Sequence, residues 1–288
     1  MKNRIITIIL LVIFFIGLAI LTYPIISSYF NSKVQSRAID EYDKALSLIN
    51  NKDYSNLFES AKKYNQELAK LEYPLVQYKE LTNYLDLINI NNKGMMGYIE
   101  IAKINVKLPI YHGTSTTVLN KAVGHLEGSS LPIGGESTHS ILSAHRGLPS
   151  SKLFTNLNKL EIGDIFKITI LDKVLTYQID NIITVVPEDI ESLKIINDKD
   201  YVTLVTCTPY GINTHRLLVR GTRIENIKEL ELIITRDADI IDNKIITIII
   251  SIPIILILIL YLIIKPAKKP FKEEVYDKYF QDNLNNPN

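Results

Sequence analysis

The sequence predicts a mainly β domain, either a closed barrel or a sandwich, preceded by a helical appendage and flanked by a membrane-spanning helix at each end. Three observations carry this. Of 288 residues, 47% are hydrophobic and 22% charged, and the apolar excess sits at the two termini. Between Lys33 and Leu87 apolar residues recur at spacings of three and four, the period of a helix face. From Gly97 onward the chain changes to short β-branched runs punctuated by Gly, Pro and Asn, the texture of many short strands.

The ends come first. Ile5 to Ser32 and Ile245 to Ile264 contain no Asp, Glu, Lys or Arg, and each is long enough to cross a hydrocarbon core of ~30 Å as a helix. Lys2 and Arg4 precede the first stretch, and Lys265, Lys268, Lys269 and Lys272 follow the second. Basic flanks favour the cytoplasmic side. The expectation is a two-pass cell-membrane protein: residues 1–4 cytoplasmic, 5–31 a transmembrane helix or signal anchor, 32–94 an extracellular helical region, 95–226 the extracellular barrel, 227–243 an extracellular linker, 244–264 a second transmembrane helix and 265–288 a cytoplasmic tail. The first stretch also meets the outline of a cleaved signal peptide, although the run is long and lacks a small-x-small site before Tyr23-Pro24. Residues 32–243 hold 24 basic and 27 acidic side chains, a net −3, which gives no electrostatic reason to expect nucleic acid as a partner.

In the helical region Ala38, Tyr42, Ala45, Leu46 and Ile49, then Leu57, Ala61, Tyr64 and Leu68, mark an apolar face among Lys, Glu and Asp. Tyr73-Pro74 interrupts it, because Pro removes a helical hydrogen bond and pushes its predecessor out of the α region. Strands are expected over 97–104, 106–111, 140–144, 165–171, 175–186, 201–206 and 217–224. Short helices are expected over 116–122, 151–157 and 190–196.

Two strands deliver a reactive side chain at their ends. Ile141 to Ala144 runs into His145-Arg146-Gly147, and Val202 to Thr206 runs into Cys207-Thr208-Pro209. If the strands are neighbours, imidazole and thiol meet at a barrel rim. A loop return through Pro209 to Asn213 would bring Arg216 back beside Cys207. Cys207 is the only cysteine, so it forms no internal disulfide: it is either a small buried hydrophobe or a thiol kept for its reactivity. The trio has the logic of acyl transfer, with a thiolate nucleophile, an imidazole to protonate a departing amine and a guanidinium for charge on the carbonyl oxygen. The five histidines, His112, His125, His139, His145 and His215, include no close pair at zinc-ligand spacing, so neither a metal nor a cofactor is expected.

The segment Thr203-Leu204-Val205-Thr206-Cys207, continued through Thr208-Pro209-Tyr210-Gly211-Ile212-Asn213-Thr214-His215-Arg216 to Gly221, resembles the TLxTC active-site segment and following arginine strand of the sortases. It is most similar to the class C, pilus-assembling branch. Gly97 to Ile101, Leu108 to Gly113 and His139 to Pro149 add to the resemblance, which covers about residues 95–225. It implies a sortase-type barrel of about eight strands, with Cys207 as nucleophile, His145 as general acid and base, and Arg216 as the stabiliser of the substrate carbonyl. It further implies cleavage of an LPxTG-like sorting motif after Thr through a thioester, resolved by an amine: a pilin lysine in pilus assembly, or a peptidoglycan precursor in wall anchoring. Partners are then pilins or surface proteins with C-terminal sorting signals.

Other residues compete for these roles. His112, His125 and His215 are alternative bases, and Arg146 and Arg220 alternative guanidinium groups; strand alternation turns His215 and Arg146 away from the thiol. Thr206 is a candidate substrate contact, equally explained by β propensity. Class C sortases usually carry an Asp-Pro-aromatic lid motif, which is absent between Lys33 and Met96. Tyr73 and Pro74 are the candidate lid residues, with a plain helix break as the competing explanation. A non-catalytic surface adaptor on the same barrel is the alternative from another class, and it would be expected to have lost Cys, His or Arg.

Overall fold

The computed structural model describes residues 2–226, apart from Asn50, Thr82 and Asn91, together with Ser251, Ile255, Phe280 and Gln281. Other than those last four positions, the expected linker, second span and tail lie outside the described residues. The chain divides into two units, Met1–Ala238 and Asp239–Asn288, and every strand and numbered helix belongs to the first.

Eight strands close into a barrel: β1 (Met95–Ile101), β2 (Val106–His112), β3 (Val123–His125), β4 (Thr138–Ser143), β5 (Ile165–Ile170), β6 (Lys173–Val185), β7 (Asp200–Thr208) and β8 (His215–Ile224). Their order around the barrel is β1-β2-β3-β4-β7-β8-β6-β5, and β5 returns to β1. The pairs β2–β3 and β4–β7 are parallel, and the others antiparallel. Alternate residues, among them Ile99, Ile101, Ile110, Leu142, Phe166, Ile168, Leu204 and Val219, fill the interior. Closure depends on Gly97, where a side chain would collide with the Thr169 carbonyl of β5.

The β-branched runs appear as strands, and their ends carry the differences. The run expected over 97–104 stops at Ile101, because Ala102–Ile104 forms a 3-10 turn ended by Asn105 at φ +50°. β3 was not expected; its three residues are too few to show a period. The helix expected over 151–157 does not form, and Leu153 sits at φ +34°, outside the helical region.

The appendage is three helices rather than one interrupted run: α1 (Lys2–Ser47), α2 (Asn51–Leu68) and α3 (Pro74–Gln77). α1 is a single helix of 46 residues that passes through Pro24. Its first part exposes Ile5, Leu10, Leu21 and Phe30, whereas Gln35, Ile39, Tyr42 and Leu46 are buried on one face against the barrel. Tyr42 ties the two together: its hydroxyl donates to Met96 O at 2.7 Å and accepts from Leu171 N at 2.9 Å. In α2, Asn65 makes a matched pair with Leu131, giving its amide to the carbonyl (3.1 Å) and accepting from the backbone N–H (2.7 Å). A short α4 (Thr116–Leu119) links β2 to β3.

Candidate active site

Register places Cys207 opposite Arg216. β4 and β7 run parallel with Ser143 level with Val205, and Ala144 N donates to Val205 O at 3.1 Å. The same offset carried two residues past that last pair would set His145 level with Cys207. On the other side β7 pairs with β8 so that Cys207 lies directly opposite Arg216. Directly opposite residues share a sheet face. Val202, Leu204 and Thr206 are buried within the barrel, so the alternating Val205 and Cys207 face outward and are partly accessible. Ala144, just past the end of β4, is buried. His145 and Arg216 are likewise partly accessible. The Arg216 guanidinium is held by the loop before it, with Nη1 donating to Asn213 O (3.1 Å) and His215 O (3.0 Å).

The sortase domain model matches residues 99–224, the whole barrel except the start of β1. The solved sortase C1 of Streptococcus agalactiae is 52% identical, covers 66% of this chain and all of its own, and superposes with a TM-score of 0.63. The chain belongs to the sortase family. Sortase C of Streptococcus pneumoniae, whose structure bears on catalysis and pilin substrate specificity, is 43% identical over 66% of this chain and 97% of its own, with a TM-score of 0.60. Clostridium perfringens sortase C, solved with the C-terminal cell wall sorting motif, is 46% identical over 66% of this chain and all of its own, with a TM-score of 0.58. These likenesses put the chain in the sortase C branch. The chain spans 63% and 53% of the length of two curated sortases to which it is 32% identical.

Within this sortase barrel the competing residues are accounted for. His125 is fully buried: Nε2 lies 2.8 Å from Ser130 O, Nδ1 lies 2.9 Å from the Tyr84 hydroxyl, and burial pushes its pKa down to about 4. His112 is buried nearby, with ring nitrogens 3.0 Å from Gly94 O and 2.8 Å from Leu87 O, and desolvation lowers its pKa. His215 lies level with Thr208 and meets the Thr214 hydroxyl at 2.9 Å. Arg220 is engaged by Asp180 through two hydrogen bonds of 3.0 and 2.9 Å, and sits four residues along β8 from Arg216.

Three features of the site were not anticipated. The Thr206 hydroxyl, expected at the substrate, is buried and donates to Ala144 O at 2.8 Å, tying β7 just before Cys207 to the residue that follows β4 and precedes His145. Arg146, expected to point away, reaches across to the loop after Cys207: Nη1 donates to Thr208 Oγ1 at 3.1 Å and the guanidinium lies 6.0 Å from the centre of the Tyr210 ring. Gly147 at φ +79° lets that ring lie directly on its backbone, where any Cβ would clash.

The other end of the same outer face is built differently. His139, buried, has Nδ1 2.8 Å from Lys194 O and Nε2 2.7 Å from Thr203 Oγ1, which secures the β6–β7 connection to the barrel. Burial pushes the His139 pKa down to about 4. Pro74 opens α3, and Tyr73 and Pro74 line a cavity of about 150 Å³ with His139, Lys194 and Gly128. His139 pairs with Tyr201, six residues before Cys207, which is ~20 Å along a strand. The Tyr73-Pro74 segment therefore borders the far end of this face, and Tyr73 itself is exposed.

Proposed function

We propose that this sortase is a membrane-anchored cysteine transpeptidase. The observation that carries the reading is the register that sets Cys207 directly opposite Arg216 on one accessible face, with His145 two residues past the end of the neighbouring β4. In the proposed reaction the Cys207 thiolate attacks the Thr carbonyl of an LPxTG-like sorting motif, and Arg216 stabilises the oxyanion that forms. The Thr–Gly C–N bond breaks as His145 gives a proton to the departing Gly amine, leaving a Thr thioester on Cys207. An incoming amine attacks the thioester, His145 takes its proton, and the thiolate leaves with a new amide bond formed.

The amine we assign is a lysine of a pilin subunit, so that the product is an isopeptide-linked polymer. The class C resemblance of the long segment from Cys207 to Gly221 and the similarity to sortase C structures support this. α1 serves as the anchor and residues 265–288 return to the cytoplasm, with the barrel outside. The test is to incubate the protein with candidate pilins bearing C-terminal sorting signals. Ladders of high molecular weight that survive boiling in detergent support pilin polymerisation; hydrolysis alone, or transfer only to a peptidoglycan precursor, replaces it with wall anchoring. Retention of peptide cleavage by Cys207→Ala would sink the enzyme reading altogether.

A further inference from the structure

Continuity of α1 fixes the height of the barrel above the bilayer. The uncharged stretch from Ile5 to Ser32 is 28 residues of one helix, ~42 Å at 1.5 Å per residue, close to the full thickness of a bilayer with its headgroups. Asn31 lies at the outer end of that stretch, and its amide donates to Ser150 O at 2.7 Å. One turn on, Gln35 donates to Lys121 O at 2.8 Å. The loop containing Ser150 begins at His145 and is closed by Phe154 N donating to His145 O at 3.2 Å.

The pairings show which rim of the barrel this is. Gly124 at the start of β3 pairs with Ser143 at the end of β4, Ser143 is level with Val205, and Cys207 faces Arg216. Lys121, Ser150, His145, Cys207 and Arg216 thus share the rim nearest the outer end of the span. Ile170 with Lys173 and Thr138 with Asp200 mark the opposite rim.

Charge and polarity agree with that placement. Residues 120–123, 144–156 and 206–217, which lie at this rim, contain Lys121, Arg146, Lys152 and Arg216 but no Asp or Glu. This is the one-signed part of a region that is net acidic overall. The acids of this rim enter elsewhere: Glu161 and Asp164, both paired with Lys103, before β5, and Glu188, Asp189 and Glu191 in the β6–β7 connection, three strands removed from β2. At the tip of the β7–β8 loop, Tyr210 and Ile212 are 60% and 68% exposed.

We infer that this rim is a membrane-contact surface: Tyr210 and Ile212 enter the boundary between headgroups and acyl chains, and Lys33, Lys121 and Lys152 attract the phosphates of anionic phospholipid. Aromatic and aliphatic tips beside lysines suit that zone. The inference rests on reading α1 as a membrane anchor and goes beyond it, because it turns the catalytic rim towards the lipid.

The test uses the full chain carrying Cys207→Ala, so that a single introduced thiol can be labelled with an environment-sensitive fluorophore. Labels at Ile212→Cys and Pro149→Cys on the near rim are compared with Glu136→Cys, exposed beside the far-rim start of β4, after reconstitution into phosphatidylglycerol-containing vesicles doped with shallow nitroxide lipid. Co-flotation with the vesicles is measured on the same samples. The expected result is several-fold stronger quenching at positions 212 and 149 than at 136, reduced in vesicles of phosphatidylcholine alone. A chain that fails to co-float overturns the anchor and the inference with it. A chain that floats with equal quenching at all three positions overturns the inference alone.

Discussion

Arg216 separates charge from geometry at the proposed site. Arg216→Lys keeps the positive charge but loses the planar fork that donates to Asn213 O and His215 O. We expect kcat for a sorting-motif peptide to fall by about 10²–10³-fold, with KM changed far less, as for loss of an oxyanion donor; a fall in KM-dependent binding with kcat intact would contradict the assignment. Thr206→Val tests a residue that acts through its neighbours. It leaves Ala144 O without its donor inside the barrel, so unfolding should cost about 1–3 kcal/mol less, measured by denaturant titration. The meeting of Cys207 with Arg216 was legible in the sequence because one ends and the other opens a β-branched run joined by a short turn-rich loop. Thr206 and Arg146 were not legible. Their partners, Ala144 O and Thr208 Oγ1, are set by the parallel pairing of β4 with β7, and no local pattern encodes which strands pair.

At the scale of elements, two buried imidazoles fasten segments to the barrel. His125 holds the Tyr84 turn and His139 holds the β6–β7 connection. Both have folded pKa values pushed down to about 4 from 6.5 by burial. Below 6.5 the unfolded chain binds protons that the folded chain refuses. Stability is therefore full above that pH, falls as pH drops towards 4, and then levels off, each group contributing up to ~3 kcal/mol of the loss. Urea unfolding between pH 7.5 and 4.5 checks this, and His139→Gln should flatten its part of the slope. α1 offers a second test: Tyr42→Phe removes a hydroxyl that both donates and accepts at the helix–barrel seam and should lower stability by about 1–3 kcal/mol. Most strands were visible as β-branched runs. β3 was missed because Val-Gly-His carries no period, and β1 was drawn too long because Ala102 to Ile104 is apolar enough to read as strand.

At the scale of the whole molecule, the uncharged stretch and the barrel-packing face occupy one uninterrupted α1, where the sequence had suggested a boundary near residue 31. A Gly-Gly pair inserted after Ser32 should uncouple them, since glycine is the least helical residue after proline. Turnover of a soluble sorting-motif peptide should be unchanged, while turnover of a vesicle-anchored peptide should fall; equal effects on both would mean that the helix matters only for folding.

Closure of the barrel has a consequence for how a peptide is recognised. β5 pairs with β1, so the barrel has no free outermost strand. A protein that handles extended peptides is exposed to indiscriminate capture, because an unpaired ladder takes any backbone by adding it as one more strand. With that route shut, the sorting motif of the proposed reaction would have to be told apart by side chains and loops along the outer face, not by adding a strand to the barrel.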